Sequence, residues 1–371
     1  MRVLHFIWSA NFGGIEKLVI TLAQQQQLNE NIKVSLLIGI RKGNFLEMIE
    51  QAGLHCEFAD MKSGLDFSSS KINRLTKLMS SYDVLHIHTF NPAIAYAAIK
   101  SKIKIVFTVH GNFGFGRKRT IKDKVLQFLS RYFIRNHVNH ITYNSEFCRN
   151  IAMEFYKVKK STPATLIYNA IPNIELPIQD ENDPAIKIKS SDFIVGTASR
   201  FAGNKRIDRL IEAFEIFSKN KQDTTLLLTG DGVKMQELKN IVKIKKLENQ
   251  VVFTGFKKNV FAWFNKMNVC VFPFENEAFG IVAIEALMLG KTVIVFSDGG
   301  GITEVIKPLN RLNIVESTAH LVDRLNFYYD NRNVLADEQN NNRQYASRFN
   351  ISSNEKAYFD VYKEVLNNTL E

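Results

Sequence analysis

Along the first half of the chain, short apolar, β-branched runs alternate with segments whose apolar positions recur every three or four residues. The first pattern predicts buried strands and the second amphipathic helices. Strands are expected at 3–8, 33–40, 55–59, 84–88, 105–109 and 140–143, with helices such as 15–27, 45–52 and 71–79 between them. Residues 166–171 read as a last strand before a change of domain. A β-α-β-α order implies a mostly parallel sheet.

The same alternation starts again further on, with strands expected at 193–198, 225–229, 251–254, 269–272 and 292–296, which predicts a second doubly wound domain. Between the halves, 172–184 holds Pro172, Pro177 and Pro184 with Asp180, Glu181 and Asp183, follows neither period and reads as a linker. Beyond Ser317 the pattern is helical and polar, and Asn340, Asn341 and Asn342 read as a solvated helix or turn. The expected class is α/β, with two Rossmann-like domains, 1–172 and 173–349, facing across a central cleft.

Composition narrows the function classes. At 371 residues, 45% hydrophobic and 23% charged, the chain has material for two ordinary cores. The apolar run 3–8 is too short for a signal peptide, and no run approaches a membrane span. Cys56, Cys148 and Cys270 lie far apart with no metal-ligand spacing, which suits a reducing, cytoplasmic setting. Charge is uneven: residues 1–172 hold 23 Lys and Arg against 11 Asp and Glu, the remainder 25 against 26. The first half therefore invites an anionic partner.

The densest chemistry runs from Phe272 to Glu304. A strand ends at Pro273, a polar loop carries Glu275 and Glu277, and a helix is expected to start near Phe279 and Gly280. A helix amino end offers unpaired N–H groups and a positive dipole end to a diphosphate, and Gly280 admits close approach to the backbone. Glu285, eight residues after Glu277, would lie about two turns on if the helix began at once. The two carboxylates suit the paired hydroxyls of a hexose and a ribose.

Glu277 to Glu285 resembles the E-x7-E signature of retaining glycosyltransferases of the GT-B fold, family-four type (glycosyl transferases group 1), the class that builds bacterial surface polysaccharides. Other segments match in order: Phe12-Gly13-Gly14-Ile15-Glu16, Asp83 to His88, Thr108-Val109-His110-Gly111, Arg200 with Lys205, Gly230-Asp231-Gly232 and Val252 to Gly255. The resemblance spans about residues 1–306.

That resemblance implies the GT-B fold, with a C-terminal helix at 350–371 returning to the N-terminal domain. It implies that Arg200 and Lys205 bind the donor diphosphate, Glu277 the transferred sugar and Glu285 the ribose. Backbone N–H groups at Phe279, Gly280 and Ile281 complete the cradle, Gly13 and Gly14 approach the phosphates, and His110 lies beside the reacting sugar. The nucleotide base is expected near Gly255 and Phe256, with Gly230 also on the donor side. The implied reaction retains anomeric configuration and moves a hexose or N-acetylhexosamine from a nucleotide sugar, read as a UDP-sugar, to a glycan or lipid-linked glycan. With cations supplied by the protein and no D-x-D run at a strand end, neither metal nor cofactor is expected.

The sequence departs from the family at Asn169-Ala170 (for Asn-Gly), Lys205-Arg206 (for Lys-Gly), Ala278 (for Gly) and Phe274 (for Ser). Plainer readings stand beside the sharper ones. His86 and His88 alternate with apolar residues at a strand end and read first as core or hydrogen-bonded histidines, with a ligand role as the lesser reading, and Gly299 to Gly301 either cap a turn or border the donor pocket with Glu304. The segment 116–137, with Arg117, Lys118, Arg119, Lys122, Lys124, Arg131 and Arg135 among apolar residues, is a core-packed helix with a basic edge, or a surface for anionic lipid at the inner face of the cell membrane. Rival functions are a GT-B epimerase, an inverting transferase and a non-catalytic nucleotide-sugar or glycan-binding protein. Nucleic acid ranks last because no recognised module accompanies the charge.

Overall fold

A computed structural model describes residues 1–11, 13–111, 120–172, 188 and 192–367. Phe12, residues 116–119 of the basic segment with Arg117, Lys118 and Arg119, most of the linker at 172–184 and the last four residues lie outside that set. The chain divides into two units, Met1–Pro172 with Phe349–Glu371, and Asn173–Arg348.

In the first unit the strands are β1 (Arg2–Ile7), β2 (Lys33–Ile38), β3 (Cys56–Phe58), β4 (Val84–Ile87), β5 (Lys104–Val109), β6 (His140–Tyr143) and β7 (Ala164–Leu166). They form one sheet in the order β3-β2-β1-β4-β5-β6-β7, and every pairing is parallel. The helices are α1 (Gly14–Gln27), α2 (Leu46–Gln51), α3 (Ser69–Met79), α4 (Pro92–Ser101), α5 (Ile121–His137) and α6 (Glu146–Phe155). The last strand lies at Ala164–Leu166 rather than 166–171, because pairing with β6 ends at Tyr143↔Leu166. Ile171 makes an isolated bridge to Asn350 instead.

The second unit comprises β8 (Phe193–Ala198), β9 (Thr224–Thr229), β10 (Val251–Gly255), β11 (Val269–Phe272), β12 (Thr292–Phe296) and β13 (Ile314–Val315). With them run α7 (Ile207–Phe217), α8 (Met235–Ile244), α9 (Val260–Lys266), α10 (Ile281–Met288), α11 (Gly301–Ile306), α12 (Thr318–Asp330) and α13 (Arg332–Ala346). Its parallel sheet has the order β10-β9-β8-β11-β12-β13. Both sheets are doubly wound, with strand order reversing between β1 and β4 in one and between β8 and β11 in the other. Ligands of open α/β sheets gather beyond the carboxyl ends of strands at such switch points.

Local chemistry marks several helix starts. Asn91 accepts from the N–H groups of Ala93 and Ile94 at the head of α4, with Pro92 at its first position. Thr120 and Asp123 form a reciprocal capping box on α5. The central strands are buried throughout, which explains their unbroken apolar runs.

The C-terminal helix α14 (Ile351–Asn367) packs on the first unit, burying Ile351, Tyr358, Val361, Tyr362 and Val365 in the core that holds Val3, Ile7, Val19 and Leu36. Asn342, expected to be solvated, is buried and donates to the Lys291 carbonyl at 3.1 Å, so the asparagine run sits on α13 with one face against the domain.

Candidate functional site

At the switch point of the second sheet, the turn after β8 carries Arg200 and Lys205, and the turn after β11 carries Glu277. Lys205 Nζ lies 2.5 Å from Glu277 Oε2, and neither side chain is more than about one-fifth exposed. Beneath the ammonium, 3.8 Å away, is the Phe274 ring. The residue that replaces the family's serine thus forms the floor under the site's lysine, a cation–π contact strengthened by partial desolvation.

The loop 275–277 is pinned by its backbone. Glu275 N–H donates to Asn204 O at 2.9 Å, joining it to the Lys205 turn. Asn276 and Glu277 N–H donate to Asp298 O and Gly299 O, and Gly301 N–H donates back to Glu277 O. Gly299 to Gly301 therefore brace the site loop as well as leading into α11.

Gly280 caps α10 at φ 86°, and a β-carbon there would strike the Ile302 side chain. Both conformation and space demand glycine. Phe279 and Gly280 are buried, and the helix opens only at Ile281, after the Gly280 cap, so Glu285 is buried one turn in rather than two.

Arg206 occupies the left-handed region at φ 44°, where the family often has glycine. Its guanidinium pairs with Asp208 at 3.1 Å and Glu275 at 3.3 Å, which offsets a backbone cost of about 1 kcal/mol. Arg200 is exposed, and no ion pair holds it among the described residues.

Gly230 and Gly255 meet at the ends of their strands, Gly230 N–H donating to Gly255 O at 2.9 Å. Gly230 has φ 139°, and a side chain there would run into the Ser199 carbonyl. Phe256 is 62% exposed beside that pair, a flat apolar face at the sheet edge.

Sequence reasoning missed Arg209. On α7, it donates to Pro273 O at 3.0 Å and Phe274 O at 2.9 Å, forms a two-pronged pair with Asp298 at 2.8 and 2.9 Å, and lies 3.7 Å over Phe296. It ties the carboxyl ends of β11 and β12 together. An arginine on an otherwise apolar helix face was the only signal.

In the first unit, Gly13 precedes α1 in extended conformation, and a β-carbon on it would meet the Glu16 carboxylate. Burial raises the Glu16 pKa above the ordinary carboxylate value. Gly14 opens the helix with free space around it. His110 follows β5 and is buried. Its Nε2 lies 3.0 Å from His88 Nδ1, and burial lowers its pKa to about 4. His86 and His88, left open by sequence, lie in a buried hydrogen-bonded cluster with His5.

The basic segment resolves into two opposed faces. Phe133 and Ile134 of α5 are buried, whereas Ile121 (82% exposed), Val125 (51%), Phe128 (69%) and Tyr132 (55%) share an outward stripe at helical spacing. Arg131 is held by the Phe155 carbonyl at 2.6 Å. Among the described residues no helix is long and apolar enough to cross a membrane.

Two doubly wound parallel sheets, with cations, carboxylates and a glycine-capped helix at a switch point, define the GT-B architecture of glycosyltransferases. A family described as "Glycosyl transferases group 1" matches residues 178–348, and "Glycosyltransferase Family 4" matches 12–173. The chain belongs to this group 1, family-four type.

Among relatives, N-acetyl-alpha-D-glucosaminyl L-malate synthase of Bacillus anthracis is 30% identical over 61% of this chain. The chain spans 59% of that relative's length. The O-antigen biosynthesis glycosyltransferase WclY of Escherichia coli is 20% identical over 81% of this chain and 84% of its own. The solved structure of Anabaena HepE in complex with UDP has TM-score 0.79 at 18% identity, covering 98% of this chain and all of that one; at that identity the likeness speaks for the fold alone.

Proposed function

We propose that the protein is a retaining glycosyltransferase that moves a hexose or N-acetylhexosamine from a UDP-sugar to a glycan or lipid-linked glycan in bacterial surface-polysaccharide assembly. The observation that carries the reading is the Lys205–Glu277 pair, seated beside the glycine-capped start of α10 at the second sheet's switch point.

Breaking the glycosidic C–O bond builds negative charge on the departing diphosphate, and preorganised cations and N–H groups lower that barrier. In this reading Glu277 is the anion on Lys205 until the donor arrives. The diphosphate then takes the ammonium and Arg200, together with the N–H groups at Phe279, Gly280 and Ile281, and Glu277 turns its acceptor oxygens to sugar hydroxyls. Glu285 takes the ribose, the turn at Gly230, Gly255 and Phe256 the base, and Gly13, Gly14 and His110 serve the sugar-phosphate end. No divalent metal is required by these roles.

The exposed α5 stripe, with Lys122, Lys124, Arg131 and Arg135 along its margins, suits shallow insertion among anionic head groups at the inner face of the membrane. A lipid-linked acceptor would be reached there.

A thermal-shift screen of UDP, GDP and their sugars, with and without chelator, tests the reading. A ligand at 100 times its Kd stabilises by about 2.7 kcal/mol. A shift with UDP-sugars that survives chelation, and sugar transfer under the same conditions, is the expected result. No shift with any nucleotide, or turnover abolished by chelator, overturns it.

A further inference from the structure

Four histidines of the first unit are wired together away from solvent. His5 Nε2 lies 2.8 Å from Gln26 Oε1, His5 Nδ1 lies 2.9 Å from His88 Nε2, and His88 Nδ1 lies 3.0 Å from His110 Nε2. From the other end of the same amide, Gln26 Nε2 donates to Tyr362 Oη at 3.4 Å. Tyr362 Oη lies 2.7 Å from His86 Nδ1, His86 Nε2 lies 2.6 Å from Thr108 Oγ1, and Thr108 meets Thr142 at 2.6 Å.

A neutral imidazole has one N–H and one lone pair, and an amide oxygen can only accept. Gln26 Oε1 therefore requires the proton of His5 on Nε2. His5 Nδ1 is then an acceptor, which requires the proton of His88 on Nε2, and by the same step that of His110 on Nε2. Along the second branch, Tyr362 accepts from the amide and so donates to His86 Nδ1, which places the His86 proton on Nε2, toward Thr108. One buried glutamine thus sets the polarity of both chains.

We propose that Gln26, through His5 and His88, is a positioning residue that locks His110 as its Nε2–H tautomer, so that the ring offers Nδ1 as a hydrogen-bond acceptor to a ligand hydroxyl. The acceptor role rests on the reading of His110 given under Proposed function; the tautomer lock does not.

Electrostatics agree. Burial lowers the pKa of His5 and His110 to about 4, and His86 and His88 lie well below the ordinary imidazole value because burial and neighbouring rings oppose charge. The rings are neutral at pH 7, as the relay requires. One nitrogen each of His5, His86 and His88 lie within 4.8 Å of one another, a spacing that a metal could use. All six ring nitrogens of the three already have hydrogen-bond partners, so the cluster reads as a polar network satisfied from within.

Long-range proton–nitrogen NMR on the uniformly 15N-labelled full chain at pH 7 reads each tautomer directly. The expected spectrum has His5, His86, His88 and His110 all neutral with the proton on Nε2. Gln26→Glu, in its ionised form, keeps an acceptor toward His5 but cannot donate to Tyr362. It should leave His5, His88 and His110 unchanged and move the His86 proton to Nδ1, because Tyr362 must now donate to the new carboxylate. A proton on Nδ1 of His5, His88 or His110 in the parent, a charged ring among the four, or a stoichiometric transition metal in the purified protein overturns the relay. Addition of UDP-glucose should shift the His110 Nδ1 resonance. If nucleotide binds and that resonance stays put while the tautomers hold, the acceptor role falls and the relay stands.

Discussion

The carboxyl ends of the two sheets are built on the same topology and filled with opposite chemistry. Beyond β4 and β5 stand neutral, buried imidazoles that satisfy one another. Beyond β8 and β11 stand charged groups in pairs, Lys205 with Glu277 mostly buried and Arg206 with Glu275 partly exposed. A neutral network in a dry interior is costly to rearrange, because every broken link leaves an unsatisfied polar atom. A partly solvated ion pair exchanges one anion for another at small net cost. The first arrangement suits fixed orientation and the second suits capture and release of a charged ligand.

The largest expected break in this contrast is Lys205→Ala. Loss of one preorganised cation should lower kcat/KM about 100- to 1,000-fold, with circular dichroism unchanged. Near-normal turnover would show that the charged end is not where the leaving group is stabilised.

Next comes Arg209→Leu, which leaves the Pro273 and Phe274 carbonyls without their donor. Because Asp298 is half exposed, the cost is set at about 2 to 3 kcal/mol, read by urea unfolding. Nucleotide affinity should weaken as well, since the β11 turn loses its tie to β12.

Titration reports on the histidine end. The histidine pKa values are depressed in the folded state, to about 4 for His5 and His110, against about 6.5 when unfolded. The unfolded chain therefore binds more protons between those values, and stability is full above pH 6.5 and is lost as pH falls toward 4. At pH 5.5 each such histidine should cost about 1.4 kcal/mol, checked by denaturant midpoints from pH 7 to 5. His5→Phe should flatten that dependence, and an unaltered slope would contradict burial of neutral rings.

The smallest effect is Arg206→Gly. Relief of the left-handed strain and loss of half-exposed ion pairs should nearly cancel, leaving stability within about 1 kcal/mol and nucleotide affinity unchanged. A larger loss would assign the arginine a share in ligand binding.

Fold class and family were legible in the chain itself. Strand-forming runs at Phe193–Ala198 or Val269–Phe272 are buried on both faces, so their apolar pattern has one stable use, and the alternation with helices imposes parallel crossovers. Motif spacing also marked His110, Lys205, Glu277 and Gly280, because each follows a strand end where short turns leave little freedom. The departures were visible as letters without their meaning. Nothing in the order of residues told that Phe274 lies under Lys205 or that Arg206 is held left-handed by Glu275, 69 positions away.

The histidine relay was beyond sequence for the same reason. His5, Gln26, His88, His110 and Tyr362 come from β1, α1, the ends of β4 and β5, and the C-terminal helix. Periodicity says which residues turn inward; it does not say which inward-facing polar atoms meet. Sequence alone determined the two doubly wound domains and the candidate charges, since burial patterns and turns are local properties. Tertiary structure alone decided partners, tautomers and exposed faces such as the α5 stripe, since each depends on atoms brought within about 3 to 4 Å from distant parts of the chain.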